Sequence, residues 1–175
     1  VSATVGDSVS FACAGDGSAT LAYQWARNAT PIAASPSSTL ALTAITTADI
    51  GLYTCTVSNA AGSATSAPAA LSVAKAVAAV TLGGLSQVYD GTPRAVTGAS
   101  VLPAGLTVAI TYNGGPTAPT FPGSYAVVGT IVDANYVGTA TGTLVVSTLF
   151  VSRHAPTLNT RVESSVQVLL PEDVT

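Results

Sequence analysis

The strongest constraint in this sequence is the spacing of Cys13, Trp25, Tyr53 and Cys55, the only two cysteines and the only tryptophan among them. Val9, Phe11 and Cys13 alternate with Ser8, Ser10 and Ala12. Tyr53, Cys55 and Val57 alternate in the same way with Thr54, Thr56 and Ser58. A strand puts successive side chains on opposite faces, so each run has one apolar face and both cysteines point into a core. Trp25 lies between them on Leu21 to Arg27, where Tyr23 and Trp25 share a face.

Tyr53 and Cys55 sit inside the motif Asp49-x-Gly51-x-Tyr53-x-Cys55. With Cys13 and Trp25 in register, this stretch resembles the immunoglobulin superfamily, nearest to intermediate-set domains of bacterial surface proteins. The resemblance implies a sandwich of two sheets in residues 1–73, a structural disulfide between Cys13 and Cys55, and Trp25 packed against it. It also implies a tyrosine corner at Asp49, Gly51 and Tyr53, in which the phenol bonds backbone upstream and locks the turn into the second cysteine strand. A bridge closing about forty residues contributes roughly 4 kcal/mol in the chain-entropy model. The competing readings of the pair are two buried free thiols or two metal ligands; no third or fourth ligand of suitable type lies nearby.

Composition bounds the rest. The chain has 175 residues with 16 Gly and 10 Pro, and turn residues recur at short intervals without a long amphipathic helical pattern. The expectation is an all-β fold of tandem β-sandwich modules with a strand-forming tail at the C-terminal end. Only 7% of residues are charged, five basic against eight acidic, which leaves no basic patch for nucleic acid. Ala67 to Leu85 is apolar, but Pro68, Lys75, Gly83 and Gly84 interrupt it and Leu71 and Val73 keep the alternation of a strand, so no membrane span is expected. A structural disulfide implies an oxidising compartment. The opening at Val1 is already strand-like, so the expectation is an exported, extracellular or cell-surface fragment with its export signal upstream.

Along the chain, Asn28-Ala-Thr30 is formally a glycosylation sequon, but Pro31 follows and the stretch reads as a turn. Too few residues separate Trp25 from Leu40 for the extra strands of a variable domain. Residues 74–79 form a short linker, expected to limit swing between the modules. Residues 80–148 carry Tyr89-Asp90-Gly91-Thr92-Pro93, Val108-x-Ile110-x-Tyr112-Asn113-Gly114, Gly123-Ser-Tyr125-Ala-Val127, Asn135-Tyr136-x-Gly138 and Leu144-x-Val146. On these motifs the segment resembles an MBG domain, the mostly bacterial immunoglobulin-like module. Asp90-Gly91 and Asn113-Gly114 are hairpin signals. Having neither cysteine nor tryptophan, this module relies on tyrosine and aliphatic side chains, and is expected to be the less stable of the two.

Residues 149–175 form a tail in which Val166, Val168 and Leu170 alternate with Ser165, Gln167 and Leu169. One reading is the start of a truncated further β domain, weakly like the opening of a β-solenoid. The other is a donated strand that pairs with a neighbouring module or another copy.

Catalytic chemistry finds few residues. His154 is the sole histidine and no Gly-x-Ser-x-Gly elbow occurs, so a Ser-His-Asp triad is not expected. Asp7, Asp16 and Asp90 adjoin glycines at turns, Asp49 lies in the corner motif and Asp133 lies near Asn135, so local turn chemistry explains them. Lys75 is the only lysine and sits in the junction, which leaves no lysine in either core for an internal isopeptide bond. No catalytic residue, cofactor or metal site is expected. The leading expectation is a non-enzymatic structural or adhesion stalk module of a bacterial surface or secreted protein, whose partners are other domains of the same polypeptide. The alternatives are a subunit of a self-assembling filament that uses the tail strand, and a module binding a surface glycan or protein.

Overall fold

The structure, a computed structural model, describes residues 1–16, 20–33, 35–148, 151–152 and 167–168. Among these residues the regular elements are strands, with a single 3-10 turn at Thr47–Asp49. The chain divides into two compact units: Val1–Ala79 together with Ile131–Gly138, and Val80–Thr130 together with Thr139–Thr175.

The first unit opens with β1 (Ser2–Thr4), β2 (Val9–Ala12), β3 (Ala22–Arg27), β4 (Thr30–Pro31) and β5 (Thr39–Leu42). After the 3-10 turn come β6 (Gly51–Asn59), β7 (Gly62–Thr65), β8 (Ala69–Ala74) and β9 (Ala76–Val77). One sheet runs β1-β8-β6-β3-β4, with β7 also paired to β6, and the other is β2-β5. The pair β1-β8 is parallel, Ala3 facing Val73, whereas β6 runs antiparallel to both β8 and β3. Alternation drives this layering: Val9 and Phe11 of β2, Leu40 of β5, Trp25 of β3, Tyr53 and Cys55 of β6, and Leu71 and Val73 of β8 fill one core, with their polar neighbours outside. Asn28 and Ala29, with φ of 50° and 65°, make the two-residue turn between β3 and β4, as the twist of a tight hairpin requires. Between Trp25 and Leu40 the described residues thus include one short edge strand, β4.

Apart from the end residues Ala79 and Ile131, the second unit contains β10 (Ala79–Gly83), β11 (Ser86–Val88), β12 (Thr97–Leu102), β13 (Val108–Tyr112) and β14 (Gly123–Ile131). They are followed by β15 (Tyr136–Val137), which lies in the first unit, and β16 (Thr139–Ser147). Its sheets are β11-β16-β14-β13 and β10-β12. Val96, Tyr112, Val127, Leu144 and Val146 form the core, with Leu82, Leu85, Ile110 and Tyr125 packed at its margin. The buried phenol oxygen of Tyr112 accepts the Val96 N–H at 2.7 Å, so a polar atom enters this core only with a partner. Asn113 and Gly114 both have positive φ and make a tight turn closed between Tyr112 and Gly115.

The two units share a plan. In each, an early strand pairs in parallel with the last long strand (β1 with β8, β11 with β16), and that strand runs antiparallel to an earlier nine-residue strand (β8 to β6, β16 to β14). In the tail, β17 (Val151–Ser152) pairs antiparallel with β18 (Gln167–Val168), Val151 facing Val168. Ala67 to Leu85, the apolar stretch, is built from β8, β9 and β10, and among the described residues no helix is long and apolar enough to cross a membrane.

Candidate functional site

The four residues that dominate the sequence converge in the first unit. Trp25 on β3 and Cys55 on β6 are register partners, and Tyr53 lies two residues earlier on the same face of β6. Trp25 is 3% exposed, and its indole N–H donates to the Ser37 carbonyl at 2.9 Å, so the one polar atom of the ring is satisfied. Phe11 from the opposite sheet stacks on Tyr53, ring centroids 4.8 Å apart at 18°, and tilts against Trp25 at 6.3 Å.

Cys13 follows β2 in one sheet and Cys55 lies on β6 in the other. Both are free thiols in this structure, Cys55 fully buried in the core and Cys13 half-buried and packed against it. Burial pushes the Cys55 thiol up to about 12; the neighbouring Cys13 thiol adds to this, and the Gln24 backbone opposes it. A thiol so protonated is a poor nucleophile.

Each remaining motif position has a visible task. The Tyr53 hydroxyl donates to the Asp49 carbonyl at 2.8 Å. One oxygen of the Asp49 carboxylate accepts the Thr46 N–H at 2.8 Å and the Thr46 hydroxyl at 3.0 Å, closing the 3-10 turn on itself. Its other oxygen pairs with Arg27 at 3.1 Å, and Arg27 also donates to the Ala48 carbonyl. That ion pair is partly solvated and contributes little by itself. Gly51 makes room: a Cβ there would stand 2.9 and 3.0 Å from the Asn28 amide atoms and 3.1 Å from Arg27 Cγ. The Asn28 amide oxygen accepts the Leu52 N–H at 2.9 Å, which ties the β3-β4 turn to the start of β6.

The second unit carries a corner that the motif reading passes over. In Gly123-x-Tyr125-x-Val127 the Tyr125 hydroxyl donates to the Phe121 carbonyl at 2.9 Å, four residues upstream, as Tyr53 does to Asp49. Val127, 1% exposed, stands where Cys55 stands in the first unit. The signal was the repeated Gly-x-Tyr spacing at the opening of a long strand.

Elsewhere the chemistry is local. Asp90 accepts the Thr92 hydroxyl and N–H and pairs with Arg94; the Thr92 bonds foremost hold its carboxyl below the usual range. Among the described residues no three His, Cys, Asp or Glu converge as metal ligands would. An open groove of about 520 Å³ beside the β6-β7 hairpin reaches Cys13, Asp16, Cys55 and Asn59, and a second of about 460 Å³ lies by Arg27, Ile32, Leu42 and Tyr53. Val168 lies in β18; Val166, Leu170 and His154 fall outside the described residues.

Comparison with known families decides the assignment. Residues 1–73 match the model of the immunoglobulin domain, and residues 78–149 match that of the MBG domain. The chain is an immunoglobulin (Ig) domain followed by an MBG domain. Among solved structures it resembles the N-terminal four Ig domains of Dscam1 isoform 9.44, with 13% identity, a TM-score of 0.51, and coverage of 85% of this chain and 42% of that one. The amphioxus IgVJ-C2 molecule is 21% identical at a TM-score of 0.48, covering 83% of this chain and 99% of that one. Ig domains 1–4 of Sidekick-1 are 17% identical at 0.42, with 85% and 44% covered. The chain spans less than half of the Dscam1 and Sidekick-1 structures, and at 13% identity the Dscam1 likeness is one of fold. No curated protein matches the sequence.

Proposed function

We propose that this Ig–MBG chain is a non-enzymatic module of an exported bacterial protein, acting outside the cell as an adhesion stalk or spacer that presents other domains. The observation that carries this reading is the thiol pair. Cys13 follows a strand of one sheet and Cys55 lies on the other; both line one groove, and Cys13 packs against the core that holds Cys55 and its register partner Trp25. A disulfide there would staple the two sheets, and such bridges persist in oxidising compartments. Support for a non-catalytic role comes from the corner residues, whose polar groups are spent on holding turns. For the tail, the start of a further β unit is favoured over strand donation, because Val151–Ser152 and Gln167–Val168 pair with one another.

The test is the mass of the exported protein under alkylating conditions. A closed bridge leaves Cys13 and Cys55 unmodified until a reductant is added. Two alkylated cysteines in the exported protein would remove the basis for the reading. Sedimentation at rising concentration and a glycan array cover the rivals. A monomer without glycan binding is expected; polymers lost on removal of residues 149–175 would assign the chain to a filament, and saturable glycan retention would make it a binding module.

A further inference from the structure

Ile131–Gly138 lies inside the MBG match, yet it belongs to the compact unit of the Ig domain. The segment is shaped by Asp133, whose carboxylate accepts the N–H groups of Asn135 at 2.7 Å and Tyr136 at 3.0 Å. So folded, it aims the Asn135 amide oxygen at the 3-10 turn. There it accepts the Thr47 N–H at 3.0 Å and the Thr47 hydroxyl at 2.8 Å. The N–H groups in the first turn of a helix have no partner within it, so Asn135 supplies what the turn lacks. Alongside, β15 pairs in parallel with β9, the N–H groups of Ala76 and Ala78 donating to the Asn135 and Val137 carbonyls at 2.9 and 2.8 Å, and Lys75 donates to the Asp133 carbonyl at 2.8 Å. Gly138 is where the two backbones come closest: a Cβ there would collide with the Ala78 carbonyl oxygen, which is main chain and cannot swing aside.

We infer that Ile131–Gly138 is a strap that completes the Ig domain, so that residues 1–73 do not contain their whole structural unit. The strap holds the turn Thr47–Asp49, and that turn presents the carbonyl on which Tyr53 is anchored. Asn135 and Gly138 of the MBG motif Asn-Tyr-x-Gly thereby serve the preceding domain. It follows that the Ig unit is finished only when the chain through Gly138 is present.

The experiment uses the full chain and Trp25, whose fluorescence reports the Ig unit alone. Asn135→Ala removes both acceptor contacts to Thr47; two neutral hydrogen bonds correspond to a roughly tenfold to thirtyfold change in the unfolding constant. Urea unfolding read at Trp25 is expected to shift by that factor, with faster hydrogen exchange at the Thr47 amide. Asn135→Asp keeps an acceptor oxygen in place and is expected to stay near the parent protein. Gly138→Ala, which disturbs the strap from its other end, is expected to shift the same Trp25 transition. A Trp25 transition unchanged in both Asn135→Ala and Gly138→Ala, with the Thr47 amide still protected, overturns the inference. So does a loss of stability confined to the second unit.

Discussion

Replacing Tyr53 with phenylalanine isolates the corner from the rest of the core. The ring keeps its stack on Phe11 at 4.8 Å, and only the hydroxyl that donates to the Asp49 carbonyl is removed. Because Tyr53 is 1% exposed, water does not readily replace the lost donor, and the change should cost about 1–2 kcal/mol. Tyr125→Phe deletes the equivalent bond to the Phe121 carbonyl in the second unit, but that bond is exposed and water can take it over. Its cost should be about 0.5 kcal/mol or less. With an m-value of about 1 kcal/mol/M for a unit this small, Tyr53→Phe should lower the urea midpoint at Trp25 by about 1–2 M without changing the slope. Tyr125→Phe, followed by far-UV circular dichroism, should barely move. Equal effects at the two tyrosines, or none at Tyr53, would refute the claim that burial of the corner bond sets its worth.

Gly51→Ala brings a methyl group against the Asn28 amide and Arg27 Cγ and should destabilise the Ig domain by about 1–3 kcal/mol. The penalty should shrink in an Asn28→Gly background, a coupling that a double-mutant cycle of urea midpoints measures. Under reducing conditions the Cys55 thiol keeps its proton in the folded chain up to about 12, whereas it loses it near 9 when unfolded. The unfolded state therefore binds fewer protons between these values, and stability that is full below about pH 9 should fall as pH rises towards 12. Cys55→Val, which places at this position the residue found at Val127, should lose that component of the alkaline slope in a pH series of urea midpoints.

The shared plan of the two units gives the MBG domain a physical rationale for folding without a bridge. Its corner tyrosine remains, and Val127 and Leu144, 1% and 0% exposed, take the central places of the core. The second tyrosine, Tyr112, ties β13 to Val96 across that core. Apolar burial and two anchored phenols thus stand where the Ig domain has Trp25 and the thiol pair.

The local pattern of the chain was sufficient for its elements. Period-two alternation at Val9, Phe11, Trp25, Tyr53, Cys55, Leu144 and Val146 marks buried strand faces, because a pleated strand leaves a side chain no other choice of face. The glycine and asparagine turns were legible for the same reason: the φ values at Gly6, Asn113 and Gly114 are a property of short stretches. The family motifs named both domains in order. What the sequence could not disclose was long-range partnership. That Gly51 must be bare depends on Asn28, 23 positions earlier, and on how far its amide reaches. The corner at Tyr125 was written in the same Gly-x-Tyr spacing, but its acceptor is a main-chain carbonyl, which no residue type advertises. The binding of Asn135 to Thr47, 88 residues away, is decided only when tertiary folding brings an unpaired turn donor and a free amide oxygen together. Domain boundaries drawn along the chain follow family matches. The boundary of the folded unit follows the hydrogen bonds, and at Ile131–Gly138 the two part.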